Sequence, residues 1–261
     1  MIFAKKSLGQ NFLIDNNIIK KIVNLTDVKN KNIIEIGPGK GALTNEILKK
    51  KPKSLKIIEK DTYLANELKK KYFDNNIIKI LNNDVLKLNF NKILLEDSII
   101  FGNLPYNISS QIFVNILRLK KLPNKISDLV FMFQKEVGEK IVCNYPSANY
   151  GRLSILSNLK LTCIDKFYVS PNCFFPKPKV NSIVIFLKPK KTYAYKIKKI
   201  ENLEKITNIL FSNKRKMINK NIKKLLNENE IIKIKDLKLN LRPSDLKPSI
   251  YYKITELYEA K

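Results

Sequence analysis

The sequence predicts an α/β fold, a mostly parallel sheet with helices on both faces, joined to a small all-helical domain. Three observations predict it. Short apolar runs alternate with helical stretches from Ile33 to Leu187. Several of those runs are continuous rather than alternating, as strands buried on both faces require. After Pro189 the strand pattern stops, and the remaining residues read as helices only. The strand runs cover residues 33–36, 55–59, 77–81, 99–101, 129–133 and 183–187. Helical stretches at 43–50 and 64–72 lie between the earlier ones, the alternation that builds a parallel sheet. A length of 261 residues suits one large domain with a small one attached, and the change of character divides the chain at 1–188 and 189–261.

Charge narrows the partners. Lys and Arg number 50 against 23 Asp and Glu, a formal net charge of +27. A field that strong attracts polyanions, nucleic acid ahead of an anionic membrane surface. The chain is also crowded with Lys, Asn and Ile, so part of the charge is compositional. From Lys188 to Lys261 there are 20 basic and 8 acidic residues, which makes the helical domain the basic one.

Composition also excludes chemistries. There is no His, which removes His-based triads, His–metal sites and His general bases. Cys143, Cys163 and Cys173 are odd in number and fit no metal spacing, which suits a reducing cytoplasm. No stretch reads as a signal peptide or a membrane span, so no membrane partner is expected.

The first strand runs into Glu35-Ile36-Gly37-Pro38-Gly39-Lys40-Gly41-Ala42. Glycines at a strand-to-helix turn let the backbone approach a ligand closely, and the helix start offers free N–H groups. Gly37-x-Gly39-x-x-Ala42 also satisfies the dinucleotide fingerprint, so the motif alone says only a nucleotide-like cofactor. Glu59 closes the second strand, where a carboxylate can accept both ribose hydroxyls of an adenosine-containing cofactor. Asp84 follows the third strand in Asn83-Asp84-Val85-Leu86; it can accept from an adenine amino group while the apolar pair sandwiches the ring, or it can cap a helix. All three positions lie at one edge of a parallel sheet, where ligands bind in open α/β folds.

Asn103-Leu104-Pro105-Tyr106 follows the fourth strand. A base amine is a poor nucleophile because its lone pair is delocalised into the ring. Two acceptors, the Asn103 side-chain oxygen and the Leu104 carbonyl, can hold its hydrogens and favour a more tetrahedral nitrogen. Pro105 fixes the turn without adding a donor. Tyr106 offers a flat face to an extruded base.

These motifs resemble, over essentially the whole chain, those of the small-subunit rRNA adenine-N6,N6-dimethyltransferases, the kasugamycin-sensitivity methyltransferase family. The likeness begins at Leu8-Gly9-Gln10-Asn11-Phe12-Leu13 and runs through the glycine loop, Ile58-Glu59, Asn83-Asp84 and Asn103-Leu104-Pro105-Tyr106. It continues in Gln134-Lys135-Glu136-Val137, Phe174-Phe175-Pro176-Lys177-Pro178-Lys179-Val180-Asn181-Ser182, Lys214-Arg215-Lys216 and Leu241-Arg242-Pro243. Lys40, Gly138 and Asn181 depart from the usual pattern without touching an assigned role.

The resemblance implies a Rossmann-like class I methyltransferase sheet and S-adenosylmethionine as cofactor. It implies transfer to the N6 amines of two adjacent adenosines in a loop near the 3′ end of 16S rRNA, in a pre-30S particle, by a cytoplasmic monomer. By the same likeness Asn11, Leu13, Gly37, Gly39, Glu59, Asp84 and Asn103 contact the cofactor. Asn103, Leu104, Pro105 and Tyr106 hold the base, and Phe174 stacks on its other side, with Phe175 the adjacent candidate. The methyl donor is already activated, so orientation and acceptors suffice and no metal is called for.

Two segments complete the reading. Residues 211–224 carry Lys214, Arg215, Lys216, Lys220, Lys223 and Lys224 and no acid, while Phe211, Ile218, Ile222 and Leu225 fall near helical spacing. A basic amphipathic helix facing rRNA phosphate is expected there. At the N-terminus, residues before about Ile14 are expected to be mobile until they fold over the cofactor, bringing Lys5 and Lys6 near RNA phosphate. Three alternatives remain: a macrolide-resistance methyltransferase acting on large-subunit rRNA, a non-catalytic assembly factor, and a nicotinamide oxidoreductase, which would have no use for Asn103-Leu104-Pro105-Tyr106.

Overall fold

All six apolar runs become strands of one seven-stranded sheet in the computed structural model, which describes residues 5, 9–120 and 122–261. Leu8 of the N-terminal motif, and Lys6 and Ser7 before it, lie outside the described residues. The chain divides into two compact units, Met1–Gly138 with Thr162–Pro189, and Glu139–Leu161 with Lys190–Lys261.

In the first unit the sheet strands are β2 (Asn32–Ile36), β3 (Ser54–Glu59), β4 (Ile78–Asn82), β5 (Ser98–Asn103), β6 (Ile126–Gln134), β7 (Leu161–Val169) and β9 (Ser182–Pro189). Their order is β4-β3-β2-β5-β6-β9-β7. The neighbours from β4 to β6 are parallel, and β9 runs antiparallel to β6. Ile33, Leu55, Ile57, Ile99, Phe101, Val130 and Val184 are fully buried, which is why the runs are continuously apolar.

Helices α1 (Asn16–Val23), α2 (Ala42–Lys49), α3 (Thr62–Lys71), α4 (Ser109–Leu117), α5 (Leu122–Lys125) and α6 (Lys135–Val142) follow in chain order. Asp15 caps α1 by accepting from the Asn17 and Ile18 amides, and the helix buries Ile19, Ile22 and Val23. Helix α2 buries Leu43 and Ile47; α3 buries Leu64, Ala65 and Leu68. The chain runs outward from β2 to β3 and β4, then returns to β5 on the other side of β2. That reversal opens a crevice at the carboxyl ends of β2 and β5.

A separate two-stranded ribbon pairs β1 (Phe12–Leu13) with β8 (Phe174–Phe175), setting Leu13 opposite Phe174 and Phe12 opposite Phe175. Successive strand residues face opposite sides. Phe174 is therefore buried with Leu13, Val23 and Met132 in the core, whereas Phe175 is 62% exposed.

The second unit holds α7 (Arg152–Lys160), α8 (Ile200–Phe211), α9 (Asn219–Ile222), α10 (Glu228–Ile232) and α11 (Pro248–Tyr258). Helix α7 buries Ser154, Ile155, Leu156, Ser157 and Leu159, so it needs cover on more than one side. The Tyr252 hydroxyl of α11 donates to the Ile155 carbonyl at 2.8 Å.

Three details differ from the sequence reading. The second unit is not 189–261 alone, because it also takes in residues 139–161. Strand β7 went unpredicted: as an edge strand it has a mostly exposed stretch around Asp165 and Lys166 in place of an apolar run. The basic segment is not one helix. Helix α8 stops at Phe211, where Ser212 Oγ donates back to the Ile209 carbonyl, a turn closes with the Lys216 amide on the Asn213 carbonyl, and α9 is four residues long. Phe211, Ile218, Ile222 and Leu225 are nonetheless all buried.

The ribbon predicts opposite behaviour from two adjacent rings. Phe174→Ala should cost about 3–5 kcal/mol of stability, as truncating a buried Phe does. Phe175→Ala should stay within about 0.5 kcal/mol. Denaturant melts of the two variants check this, and equal losses would contradict the pairing.

Candidate active site

The carboxyl ends of β2, β3, β4 and β5 form the wall of a cavity that residues 9–14 border on the opposite side. Strand register sets the wall. Ile36 lies beside Ile58 of β3 and Gly102 of β5, and Glu59 lies beside Asn82 of β4. The residues at or just beyond each end, Gly37, Glu59, Asp84 and Asn103, thus meet at one edge, and all four line the cavity.

The glycine loop is held by backbone contacts. Gly37 and Gly39 have φ of +67° and +58°, a region that favours glycine. The Gly37 amide donates to the Ile58 carbonyl at 3.0 Å. A Cβ on Gly39 would stand 2.7 Å from the Phe12 ring, so the loop and the N-terminal segment pack without room for a methyl group. Lys40 Nζ lies 5.0 Å from the centroid of the same ring.

The two expected acids differ in surroundings. Glu59 is 7% exposed, and its Oε1 accepts from the Asp61 amide at 2.8 Å. Burial pushes its pKa up, opposed by backbone N–H donors of Asp61, Gly39 and Lys60. Asp84 pairs with Lys60 at 2.9 Å and accepts from the Leu86 amide, and chiefly the lysine holds its carboxyl below the usual range.

Asn103 Nδ2 donates to the Asn11 carbonyl at 3.0 Å. This bond fixes which way the amide is turned and leaves Oδ1 as an acceptor. Leu104 is buried, and Tyr106 shares a 2.5 Å hydrogen bond with Ser182 Oγ while its side lines the cavity. In residues 9–14, Phe12 and Leu13 are buried, and Asn11 and Leu13 line the cavity.

Phe174, assigned to the base, is not brought to the wall. The pleat of β8 turns it into the core behind Leu13, and Phe175 is the ring that faces out. Lys214, Arg215, Lys216, Lys220, Lys223 and Lys224 lie in the second unit, all exposed; Lys223 pairs with Glu228 at 3.0 Å. The cavity itself is built from the first unit.

Sequence reasoning assigned no role to Glu35, Lys60 or Asp61. The signal for Glu35 was an acid inside the apolar run Ile33-Ile34-Glu35-Ile36. It is 1% exposed and lines the cavity; Thr44 Oγ1 donates to Oε2 at 2.6 Å, while Oε1 has no hydrogen-bond partner among the described residues. The cavity thus offers a close backbone loop, carboxylates for hydroxyls, amines or a cation, and an oriented amide oxygen beside a tyrosine ring. Among the described residues, no three His, Cys, Asp or Glu side chains gather to hold a metal ion, and no helix is long and apolar enough to cross a membrane.

Comparison with known proteins points the same way. The family described as ribosomal RNA adenine dimethylase matches residues 2–259. The ribosomal RNA small subunit methyltransferase A of Pelagibacter ubique is 46% identical over 257 residues, covering 98% of this chain and 97% of that protein. The protein of the same name from Francisella tularensis subsp. novicida is 40% identical, covering 87% of each. A dimethyladenosine transferase from Plasmodium falciparum superposes with a TM-score of 0.74 at 26% identity, over 93% of this chain and 95% of that one. The 23S rRNA methyltransferase ErmE, at 22% identity and a TM-score of 0.71 over 95% of this chain and all of its own, shares the fold.

Glu35 gives a pH-dependent prediction. Burial, opposed by the Thr44 hydrogen bond and reinforced by the nearby Glu59 charge, raises its pKa from 4.5 to about 7. The folded protein then keeps the proton up to about pH 7, whereas the unfolded chain releases it near 4.5. Stability attached to the neutral form is complete below 4.5, falls as pH rises and is gone above about 7. Glu35→Gln keeps an acceptor for Thr44 and removes the titration. Its melting temperature relative to wild type should climb between about pH 5 and pH 8; a pH-independent difference would mean that Glu35 titrates normally.

Proposed function

The chain belongs to the ribosomal RNA adenine dimethylase family, and from that premise we infer how its own residues carry out the family's reaction. It is an S-adenosylmethionine-dependent methyltransferase that dimethylates adenines of small-subunit rRNA at N6. The single observation that carries the residue-level reading is the Asn103 amide, held by Asn11 so that its oxygen is an acceptor at the cavity wall.

The cavity fits this cofactor. The glycine loop at Gly37 and Gly39 lets the backbone approach closely, Glu59 and Asp84 supply acceptors for ribose and adenine, and the orphaned Glu35 Oε1 suits a positively charged end. Asn11, Leu13 and Asn103 complete the contacts. When bound, the cofactor supplies a methyl group on a cationic sulfur.

Asn103 Oδ1 and the Leu104 carbonyl accept the two hydrogens of the target amine, which draws its lone pair out of the ring. Pro105 holds the turn, and Tyr106 stacks on the extruded base, its hydroxyl tied by Ser182. Phe175, rather than Phe174, is the exposed ring of β8 and takes the second stacking position. The sheet unit performs the chemistry, and the helical unit holds rRNA phosphate through Lys214, Arg215, Lys216, Lys220, Lys223 and Lys224. The substrate is a loop with two adjacent adenosines near the 3′ end of 16S rRNA in a pre-30S particle, met in the cytoplasm by a monomer.

Incubating the pure protein with labelled S-adenosylmethionine and immature 30S particles should yield N6,N6-dimethyladenosine. Transfer to large-subunit RNA instead, or no transfer, would overturn the substrate assignment. Glu59→Ala should weaken cofactor affinity by about 1.5–3 kcal/mol in calorimetric titration, the worth of charge-assisted hydrogen bonds. Unchanged affinity in a folded variant would remove Glu59 from the site.

Particle binding should weaken steeply with salt. Changing Lys214, Arg215 and Lys216 together to Gln should flatten the log–log salt slope by about 0.7–0.9 for each phosphate that is no longer neutralised. A slope equal to wild type would mean that the exposed turn meets only solvent.

A further inference from the structure

Asp61, which none of the roles above uses, sits at the hub of the hydrogen bonds that hold the N-terminal segment. Its side chain is 2% exposed, and it receives more than the helix α3 cap requires. Oδ1 accepts from the Tyr63 amide at 3.0 Å, the capping bond. The same carboxylate takes Lys5 Nζ at 3.0 Å and Gln10 Nε2 at 3.2 Å. Gln10 Oε1 in turn accepts from the Lys5 amide at 2.8 Å, which closes a ring of three residues. Burial alone would raise the Asp61 carboxyl, yet the bonds from Lys5 and Gln10 hold it below the ordinary range.

From this ring the chain crosses three strand ends in three residues. Gln10 is fixed beyond β3 by Asp61, the Asn11 carbonyl takes Asn103 Nδ2 at the end of β5, and Phe12 lies on Gly39 beyond β2. Only one peptide unit separates the ring from the carbonyl that sets the Asn103 amide. Without that carbonyl the amide is free to turn over and offer N–H groups to an amine that itself donates. Asp61 is also joined to the cofactor side, because its amide donates to Glu59 Oε1 at 2.8 Å.

We propose that Asp61 is a positioning residue for methyl transfer: by gripping Gln10 and Lys5 it seats the Asn11 carbonyl that turns the Asn103 oxygen toward the target amine. The proposal rests on the methyltransferase reading above. Its effect belongs in kcat more than in cofactor affinity, because the amide acts on the reacting nitrogen.

Asp61→Ser separates the two jobs of the side chain, since a serine hydroxyl still caps the Tyr63 amide but cannot hold both Lys5 and Gln10. The variant should melt close to wild type and exchange the amides of residues 9–13 faster. Its kcat on immature 30S particles should fall by roughly tenfold to a hundredfold, the scale of a small misplacement, with a smaller change in calorimetric affinity for S-adenosylmethionine. Gln10→Ala, cut from the segment itself, should lose kcat similarly, and the double variant should lose little more than either single one. Wild-type kcat in Asp61→Ser, or losses that multiply in the double variant, would overturn the proposal. If the wild-type protein leaves the particles unmethylated, the substrate reading falls; unchanged exchange at residues 9–13 in Asp61→Ser would then still overturn the grip on its own.

Discussion

Burial on both faces limits where the sheet of this protein keeps polar groups. With Ile33, Leu55, Ile57, Ile99, Phe101 and Val130 fully enclosed, a hydrogen-bonding or charged side chain is tolerated only at a strand end or with a partner inside. The parallel register then sets the carboxyl ends of β2 to β5 along one line, so side chains from distant parts of the chain become neighbours. The lining of the cavity in the first unit follows largely from that alignment. The glycine loop, Glu59, Asp84 and Asn103 each stand at or just past a strand end, and the N-terminal segment crosses those ends, meeting Gly39, Asp61 and Asn103.

Four acids near this edge have four different environments. Glu35 has burial and one hydroxyl, which leaves its pKa high. Glu59 is buried among backbone N–H groups that only partly offset the cost. Asp61 and Asp84 each have a lysine, and both are held low. The two with lysine partners, Asp61 and Asp84, carry their charge in ion pairs, whereas Glu35 and Glu59 rely on hydrogen bonds alone. Proximity alone would not separate them, since all lie within a few residues of β2, β3 or β4.

Much of this was legible in the sequence. The six runs were readable because full burial demands continuous apolar residues, and Gly37, Glu59, Asp84 and Asn103 were readable because each ends such a run. What was not legible depends on pairing between distant segments. Whether Phe174 or Phe175 faces outward is decided by a two-residue strand aligned to Phe12 and Leu13, far earlier in the chain. Asp61 looks like an ordinary helix cap until Lys5 and Gln10 arrive. Strand β7 hides because an edge strand need not be apolar, and the basic segment hides its turn because Phe211, Ile218, Ile222 and Leu225 are buried whether or not one helix joins them.

The second unit is assembled from two separate stretches of chain, so it is not a module in the genetic sense. A gene fusion that borrowed only the residues after Pro189 would carry α8 and α11 without α7, and Tyr252 would lose the Ile155 carbonyl it donates to. During synthesis the same arrangement imposes a wait: α7 is made well before α8 and α11, and its apolar faces have no cover from them until they follow. Recombination between relatives would therefore have to exchange residues 139–161 together with the carboxyl-terminal stretch.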